Sequence, residues 1–362
     1  MKKISGISLF SGMGGDTLGM ENAGVKIVAY SENNKSASET HKLNFPDSEL
    51  LGSGDITETT EEEFSKFKGI DFLFAGFPCQ SFSSAGKRKV NDPRNTMFKY
   101  FVDAAKYTNA KVIIGENVKG LRTKKTTDDE LYIDVICREF ENLGYEVAYQ
   151  VLACEKHDVP QKRQRLIIVG VKPDSGFKVD FPEESDERVG LQDILEFSMD
   201  GAAKLEKSVF DLDSISNDCI IEDMENEETE NDPHPYLLLK MSKSDKHYYN
   251  SETGKYDYKE HHLDSLFSFS KRNSPISCEI IDNRNPSKTI ICTYGHQPRL
   301  FVPIRNKVGQ FLRMLTIDEL KQIQWFPKEF KMSGSKQAQV VQIGNAVPPI
   351  LAQKIVESIT RD

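Results

Sequence analysis

A cysteine set beside a proline, in Gly76-Phe77-Pro78-Cys79-Gln80, follows directly on the apolar run Phe72-Leu73-Phe74-Ala75. Such a run reads as a buried parallel strand, and strands of that kind deliver their last residues to the open edge of an α/β sheet, where ligands bind. The proline fixes φ next to the sulfur, so the thiol is aimed. Cys79 is therefore a candidate nucleophile. Glu116-Asn117-Val118 follows a second apolar run, Val112–Gly115, and projects from the same edge. By position alone Glu116 reads equally as an exposed loop acid. Beside an aimed cysteine it becomes a candidate proton donor, whose pKa burial would raise. Gln161-Lys162-Arg163-Gln164-Arg165 leads into a third run, Leu166–Val169. Two arginines at i and i+2 leave an extended segment on one face. They either enter one cleft together or simply flank a strand.

A ligand loop stands at the first strand. Phe10-Ser11-Gly12-Met13-Gly14-Gly15 follows Ile4–Phe10 and opens a helix. Glycines there let backbone approach a ligand while a helix N-terminus faces it. The second strand ends at Tyr30-Ser31-Glu32, and a carboxylate in that place suits ribose hydroxyls, which makes a nucleoside cofactor plausible. The glycine spacing is not that of a dinucleotide fold. Asp55, in Gly54-Asp55-Ile56-Thr57, reads as a surface turn residue or as an acceptor for an adenine amino group.

The elements that must hold these groups alternate. Strands are expected at Ile4–Phe10, Val25–Tyr30, Asp71–Ala75, Lys111–Gly115, Tyr145–Leu152 and Arg165–Val171, with helices near Gly14–Ala23, Lys35–Asn44, Pro93–Tyr107 and Asp129–Leu143. Asp92-Pro93 suits a helix start. This is the pattern of a doubly wound, Rossmann-like α/β sheet. Beyond Pro173 the texture changes to turn clusters. Glu222–Asp232, with seven acidic residues and no Lys or Arg, reads as a solvated loop. Tyr236–His262 interleaves lysines with tyrosines, a weak nucleic-acid signal diluted by Asp245, Glu252, Asp257 and Glu260. Helices near Thr316–Gln324 and Pro349–Ile359 close the chain.

Composition narrows the classes. The 362 residues carry a net charge of −9, which argues against general polyanion binding, so any nucleic acid must meet a local basic patch. Lys87-Arg88-Lys89, Lys119, Arg122, Lys124 and Lys125 offer one. Six scattered cysteines have no metal-ligand spacing, which points to reduced, intracellular thiols and no metal site. No apolar run reaches the roughly 18 residues of a membrane helix, and no signal peptide is read at the start.

Taken together and in order, these motifs resemble the DNA (cytosine-5)-methyltransferase family from residue 4 to about 357. Phe10–Gly15 resembles its S-adenosylmethionine loop, Gly76–Gln80 its catalytic loop, Glu116–Val118 its glutamate motif and Gln161–Arg165 its arginine motif. Arg284–Thr289, Arg313–Thr316, Gln324–Pro327 and Gly344–Pro349 match later segments. The resemblance implies a methyltransferase sheet at 1–185 plus 336–362, a smaller, irregular target-recognition domain at 186–315 and a hinge at 316–335. It implies addition of Cys79 to carbon 6 of a flipped cytosine, Glu116 donating to N3, Arg163 holding charge at O2 and Arg165 orienting it. Gln80–Asn95 would close over the base. For the cofactor it implies Phe10, Gly12, Met13, Gly14, Gly15, Glu32, Asp55, Ile56, Pro78, Met97, Asn345 and Val347. The family more often has leucine at position 97.

Double-stranded DNA is the implied partner. The setting implied is a monomeric restriction–modification or orphan enzyme, with a cognate endonuclease as a candidate partner, located in the cytoplasm or nucleoid or wherever its DNA resides. Relatives that methylate transfer RNA carry a Cys-Phe-Thr stretch absent here; Cys292-Thr293-Tyr294 is a faint echo. An inactive regulator of this fold would have lost part of the motif set. A dehydrogenase would leave Cys79, Glu116 and Arg163 unexplained, and an amino-group methyltransferase would need a different turn after the same strand.

Overall fold

A computed structural model of the chain describes residues 4–78, 97–241, 247–250, 255–258, 267–270 and 278–361. Cys79, the loop 80–95, the basic triplet 87–89 and the expected helix start at Asp92-Pro93 lie outside the described residues.

The first half builds strands β1 (Ser5–Leu9), β2 (Lys26–Tyr30), β3 (Glu49–Leu50), β4 (Phe72–Ala75), β5 (Val112–Val118), β6 (Glu146–Ala153), β7 (Gln161–Lys162) and β8 (Gln164–Val171). Seven of them form one sheet in the order β3-β2-β1-β4-β5-β8-β6. The strands β3 to β5 run parallel, whereas β8 is antiparallel to both β5 and β6. All four residues of β4 are buried, as expected for a strand covered on both faces.

Between these strands lie α1 (Gly15–Asn22), α2 (Lys35–Asn44), α3 (Glu61–Ser65), α4 (Phe98–Thr108) and α5 (Tyr132–Asn142). One sheet face, with Leu73 and Ile113, packs against Phe101, Ala104, Ile133, Ile136 and Phe140 of α4 and α5. The other face, with Phe72, Phe74 and Ile114, packs against Met20 of α1 and against the chain's closing segment, Val347, Leu351 and Ile355. The expected doubly wound sheet is therefore present, with an antiparallel pair of strands at one side. The helix expected from Pro93 is described only from Phe98 onward.

The later chain contributes β9 (Ala203–Lys204), β10 (Ile221–Asp223), α6 (Pro235–Met241), β11 (His247–Asn250), β12 (Lys255–Tyr258), β13 (Phe267–Phe269), β14 (Cys278–Ile280), β15 (Ser287–Lys288), β16 (Leu300–Asn306) and β17 (Gly309–Met314). A second sheet runs β13-β14-β16-β17-β9, with β10 also on β16. The acidic run is only partly a loop: Glu222 lies in β10 and pairs with Arg305 at 2.7 Å, and Glu230 accepts from the Lys204 amide at 2.8 Å. Of the Tyr/Lys-rich stretch, α6 and the antiparallel pair β11–β12 are described.

The chain closes with α7 (Ile317–Ile323), α8 (Lys336–Asn345) and α9 (Pro349–Thr360). No apolar periodicity marks α8, because only Val340 and Ile343 supply large apolar groups to its buried side. Residues 316–335, expected as a hinge, are packed. Leu320, Ile323, Phe326 and Phe330 share a core with Met13 and Phe45, beneath the glycine loop.

Candidate active site

The sheet reverses its order between β1 and β4, since β2 and β3 continue to one side and β5 and β8 to the other. A crevice at the carboxyl ends of strands opens at such a switch point. Phe10–Gly15 leaves β1 on one side of it and Gly76–Pro78 leaves β4 on the other. Phe10 itself adopts φ 55°, a left-handed conformation rare for a bulky side chain. Two backbone bonds tie the strand ends together: Ser11 N donates to the Ser31 carbonyl at 2.9 Å and Gly76 N to that of Leu9 at 3.2 Å.

Glu32 closes the loop. Its Oε2 accepts from Gly12 N at 2.9 Å and its Oε1 from Asn34 N at 2.6 Å. Burial raises the Glu32 pKa, opposed by these two donors. Gly12, at φ 57°, faces open space, and a Cβ there would meet nothing within 4 Å. Gly14 and Gly15 are glycines for a different reason. A Cβ on Gly14 would lie 2.5 Å from Phe45, and one on Gly15 would lie 2.1 Å from the Val347 carbonyl. Met13 is wholly buried in the core it shares with Phe330. Within the loop, Phe10 and Gly12 are half-buried and the other four residues are buried, so these two remain open to a ligand.

Behind the loop, Ser11 Oγ, Thr17 Oγ1 and His41 Nε2 form a buried chain with spacings of 3.3 and 3.0 Å. The His41 ring stacks on Tyr30 at 3.7 Å, and burial pushes its pKa down to about 3, so it stays neutral. Of the outer expected contacts, Ile56 is buried in the apolar cluster that Phe10 packs against. Asp55 accepts from Thr57 N and Oγ1 through Oδ1, at 2.9 and 2.8 Å, a local turn. Met97 stands just before α4, half-buried. Asn345 is exposed at the end of α8.

On the other side of the crevice, Glu116 stands next to Gly76. The parallel register pairs Ala75 with Gly115, and Glu116 Oε2 would lie 3.8 Å from a Cβ on Gly76. Its other oxygen, Oε1, receives Arg165 Nε at 2.6 Å, with the two side chains 11% and 13% exposed. Antiparallel pairing of β8 with β5, Val118 opposite Arg165, makes that contact possible. Asn117, adjacent in sequence, donates from Nδ2 to the Phe77 carbonyl at 3.2 Å. That buried bond fixes the backbone two residues before Cys79.

Arg163 is placed differently from the expectation that it holds charge in the cleft. It is 1% exposed, and its Nη1 and Nη2 donate to the carbonyls of Ile290, Gly344 and Ala346 at 3.4, 3.1 and 3.1 Å. Burial, and then the charge of Arg165, pull its pKa down to about 9, so it remains a cation at neutral pH. Gln161 and Arg163 point into the protein, while Arg165, past the turn into β8, reaches Glu116.

Glu116, with Arg165 on one oxygen, thus stands beside Gly76 and across a crevice from the glycine loop. The C-5 cytosine-specific DNA methylase profile matches residues 4–361. The chain belongs to that family.

Curated relatives of the methylase agree. It is 32% identical over 363 residues to the Type II methyltransferase M1.HphI of Haemophilus parahaemolyticus, covering 98% of this chain and 86% of the relative. It is likewise 32% identical over 376 residues to M.FnuDI of Fusobacterium nucleatum, covering 98% and 94%. The fold resembles a crystal structure described as a DNA modification methyltransferase encoded within a prophage (E. coli), with TM-score 0.66, 20% identity and coverage of 98% and 97%. Within this methylase the structure brings together Phe10, Gly12, Glu32, Gly76, Pro78, Glu116 and Arg165 around one crevice, and it sets Arg163 outside it. Sequence reasoning passed over Asn117 and the Thr17–His41 pair as supports. Their signal was only adjacency to Glu116 and to the glycine loop. Among the described residues no group of three or more His, Cys, Asp or Glu side chains could hold a metal, and no helix is long and apolar enough to cross a membrane.

Proposed function

We propose that the protein transfers a methyl group to carbon 5 of a cytosine flipped out of double-stranded DNA, through a covalent bond from Cys79 to carbon 6. The observation that carries this reading is the Glu116–Arg165 pair beside Gly76, three residues before the cysteine. Carbon 5 is a poor nucleophile until carbon 6 gains an electron pair. The Cys79 thiolate adds there, the ring electrons shift toward N3 and O2, and carbon 5 becomes enamine-like. Glu116 Oε2, turned toward Gly76 and unclaimed by Arg165, is the oxygen to carry a proton to N3. Arg165, rather than Arg163, is the cation to face O2, because the Arg163 N–H groups at Nη1 and Nη2 are committed to carbonyls. Loss of the carbon-5 proton then returns the electron pair that expels the thiolate. A base inside a duplex is out of reach of these groups, so the cytosine must leave the stack.

The glycine loop fits S-adenosylmethionine: Gly12 is open where a Cβ would meet nothing, and Glu32 stands over it with a carboxylate for ribose hydroxyls. Phe10 and Ile56 would hold the adenine, with Asp55, Pro78, Met97, Asn345 and Val347 around it. When bound, that cofactor supplies a methyl group activated on a sulfonium. The cofactor-binding and catalytic part would comprise 1–185 and 336–362, and 186–315 would recognise the target. The second sheet, whose strands fall between Ala203 and Met314, supports that division. The named relatives favour a restriction–modification setting, with a cognate endonuclease as partner.

Bisulfite sequencing of host DNA after expression should reveal methylated cytosines in one sequence context. Duplexes of that sequence bearing 5-fluorocytosine should trap the wild type in a denaturant-resistant adduct, with S-adenosylmethionine present, and should not trap Cys79→Ser. Unmethylated host DNA together with no adduct on any duplex would sink the reading.

A further inference from the structure

The side chains of Gln161 and Arg163 form a buried polar hub between three distant segments. β7 pairs in parallel with β15, Gln161 opposite Ser287, and Thr289 Oγ1 donates to the Lys162 carbonyl at 2.6 Å. Gln161 accepts from Ile290 N through Oε1 at 3.1 Å and donates from Nε2 to Gln324 Oε1 at 3.1 Å. Gln324 in turn donates to the Ile343 carbonyl at 2.7 Å. Arg163 completes the hub by binding carbonyls on both sides, Ile290 on one and Gly344 and Ala346 on the other. Withdrawing the cation would leave all three carbonyls short of that donor.

Both ends of the hub are fixed to elements with ligands to bind. Gly344 lies against the stretch after Ile290 so closely that a Cβ would stand 2.6 Å from Cys292 N. From Ala346 the chain passes to Val347, whose carbonyl touches Gly15 at the glycine loop. On the other side, residues 287–290 lie on the connection between β14 and β16, two strands of the second sheet. The Arg163 guanidinium therefore grips the backbone of both segments while standing two residues from Arg165.

We propose that Arg163 is a positioning residue that couples target DNA to the cofactor: engagement of DNA by the 287–290 segment sets the Gly344–Val347 backbone against the glycine loop, and each ligand tightens the other. The proposal rests on the DNA and S-adenosylmethionine reading above. Coupling of this kind is reciprocal and has a single factor by which each ligand raises the affinity of the other.

The test is titration calorimetry with S-adenosylhomocysteine, with and without a duplex carrying the sequence found by bisulfite mapping. The wild type should show a factor of about 10 or more. Arg163→Lys should bring the factor close to 1. Arg165→Lys, which changes the cation on Glu116 and is expected to be slow in turnover, should keep it. General loosening of the fold would weaken both affinities without abolishing their ratio. A folded Arg163→Lys protein with the wild-type factor would overturn the proposal, as would a wild type that binds both ligands independently. A wild type that binds neither ligand would remove the functional reading first. Should Arg163→Lys not fold, hydrogen exchange on the wild type decides. S-adenosylhomocysteine alone should slow exchange at 287–290 and DNA alone at 343–347, and absence of both cross-protections refutes the coupling.

Discussion

Two arginine–carboxylate pairs sit in different regions of this molecule and are built to different ends. At the sheet edge, Arg165 gives Glu116 a single contact, Nε to Oε1 at 2.6 Å, and leaves Oε2 facing Gly76. Where the second sheet meets α7, Arg313 and Glu319 are 0% and 3% exposed. There Arg313 donates from both Nη1 and Nη2 to Glu319, at 2.8 and 2.6 Å, and from each to a backbone carbonyl, of Met314 and Glu196. Glu319 also caps α7 through Thr316 and accepts from Glu196 N at 3.1 Å. A carboxylate with both oxygens held by the arginine has nothing left to offer a substrate. A pair with a spare oxygen at a crevice can carry a proton. Valence left over, more than burial, separates a strut from a site.

The comparison can be broken first at the strut. Arg313→Met alone leaves Glu319 buried without its cation and should cost about 3–5 kcal/mol of stability in urea unfolding. Arg313→Met with Glu319→Leu should recover most of it, and a single variant as stable as the wild type would show that the pair is not a strut.

Glu116→Gln tests the other side. It should lower methyl transfer by about 10²–10⁴-fold near neutral pH and cost less stability than Arg313→Met, because glutamine keeps an oxygen for Arg165. Tritium transfer from labelled S-adenosylmethionine to mapped duplex measures the first, and a full rate would remove Glu116 as the acid.

Between these extremes lies a buried acid with no cation among the described residues. Asp16, on the first turn of α1, accepts from Ser8 Oγ, and burial pushes its pKa up to about 7 from 3.8. The folded state then holds a proton that the unfolded chain releases, so its contribution is fully present below about pH 3.8 and is lost as pH rises through about 7. Relative to the wild type, Asp16→Asn should gain up to about 1.4 kcal/mol per pH unit between pH 5 and 7. A stability difference that stays flat across that interval would place the proton elsewhere. The smallest effect belongs to Thr316→Ala, which removes one half of the α7 capping box and should cost about 1 kcal/mol in the same unfolding measurement.

Much of the fold was legible because its signals are local. Lys35–Asn44 begins and ends as expected, with Asn34 capping Ala37 N at 3.1 Å, and β4 read as buried because its apolar run is unbroken. α8 was not legible, since tertiary packing of Val340, Ile343 and the bare Gly344 holds a mostly polar segment in a helix. At the site, Glu116 and Glu32 were found from strand ends. Close packing on Phe45 and Val347 requires glycine at positions 14 and 15, a demand that spacing alone does not separate from a ligand's.

The two arginines divide what each level could decide. Residue type and spacing by themselves determined the cast: a cysteine after one strand, a glutamate after the next, a glycine loop and a pair of arginines at i and i+2. They did not determine which arginine meets the glutamate, because side-chain alternation sends both to one face of any straight segment. β7 ends at Lys162 and pairs with β15, whereas β8 starts at Gln164 and runs antiparallel to β5. That break between strands turns Arg163 into the protein. Had β8 run parallel to β5, its first residues would lie at the far edge of the sheet. Strand direction is set by long-range pairing, which no local pattern encodes, and it is what carries Arg165 to Glu116.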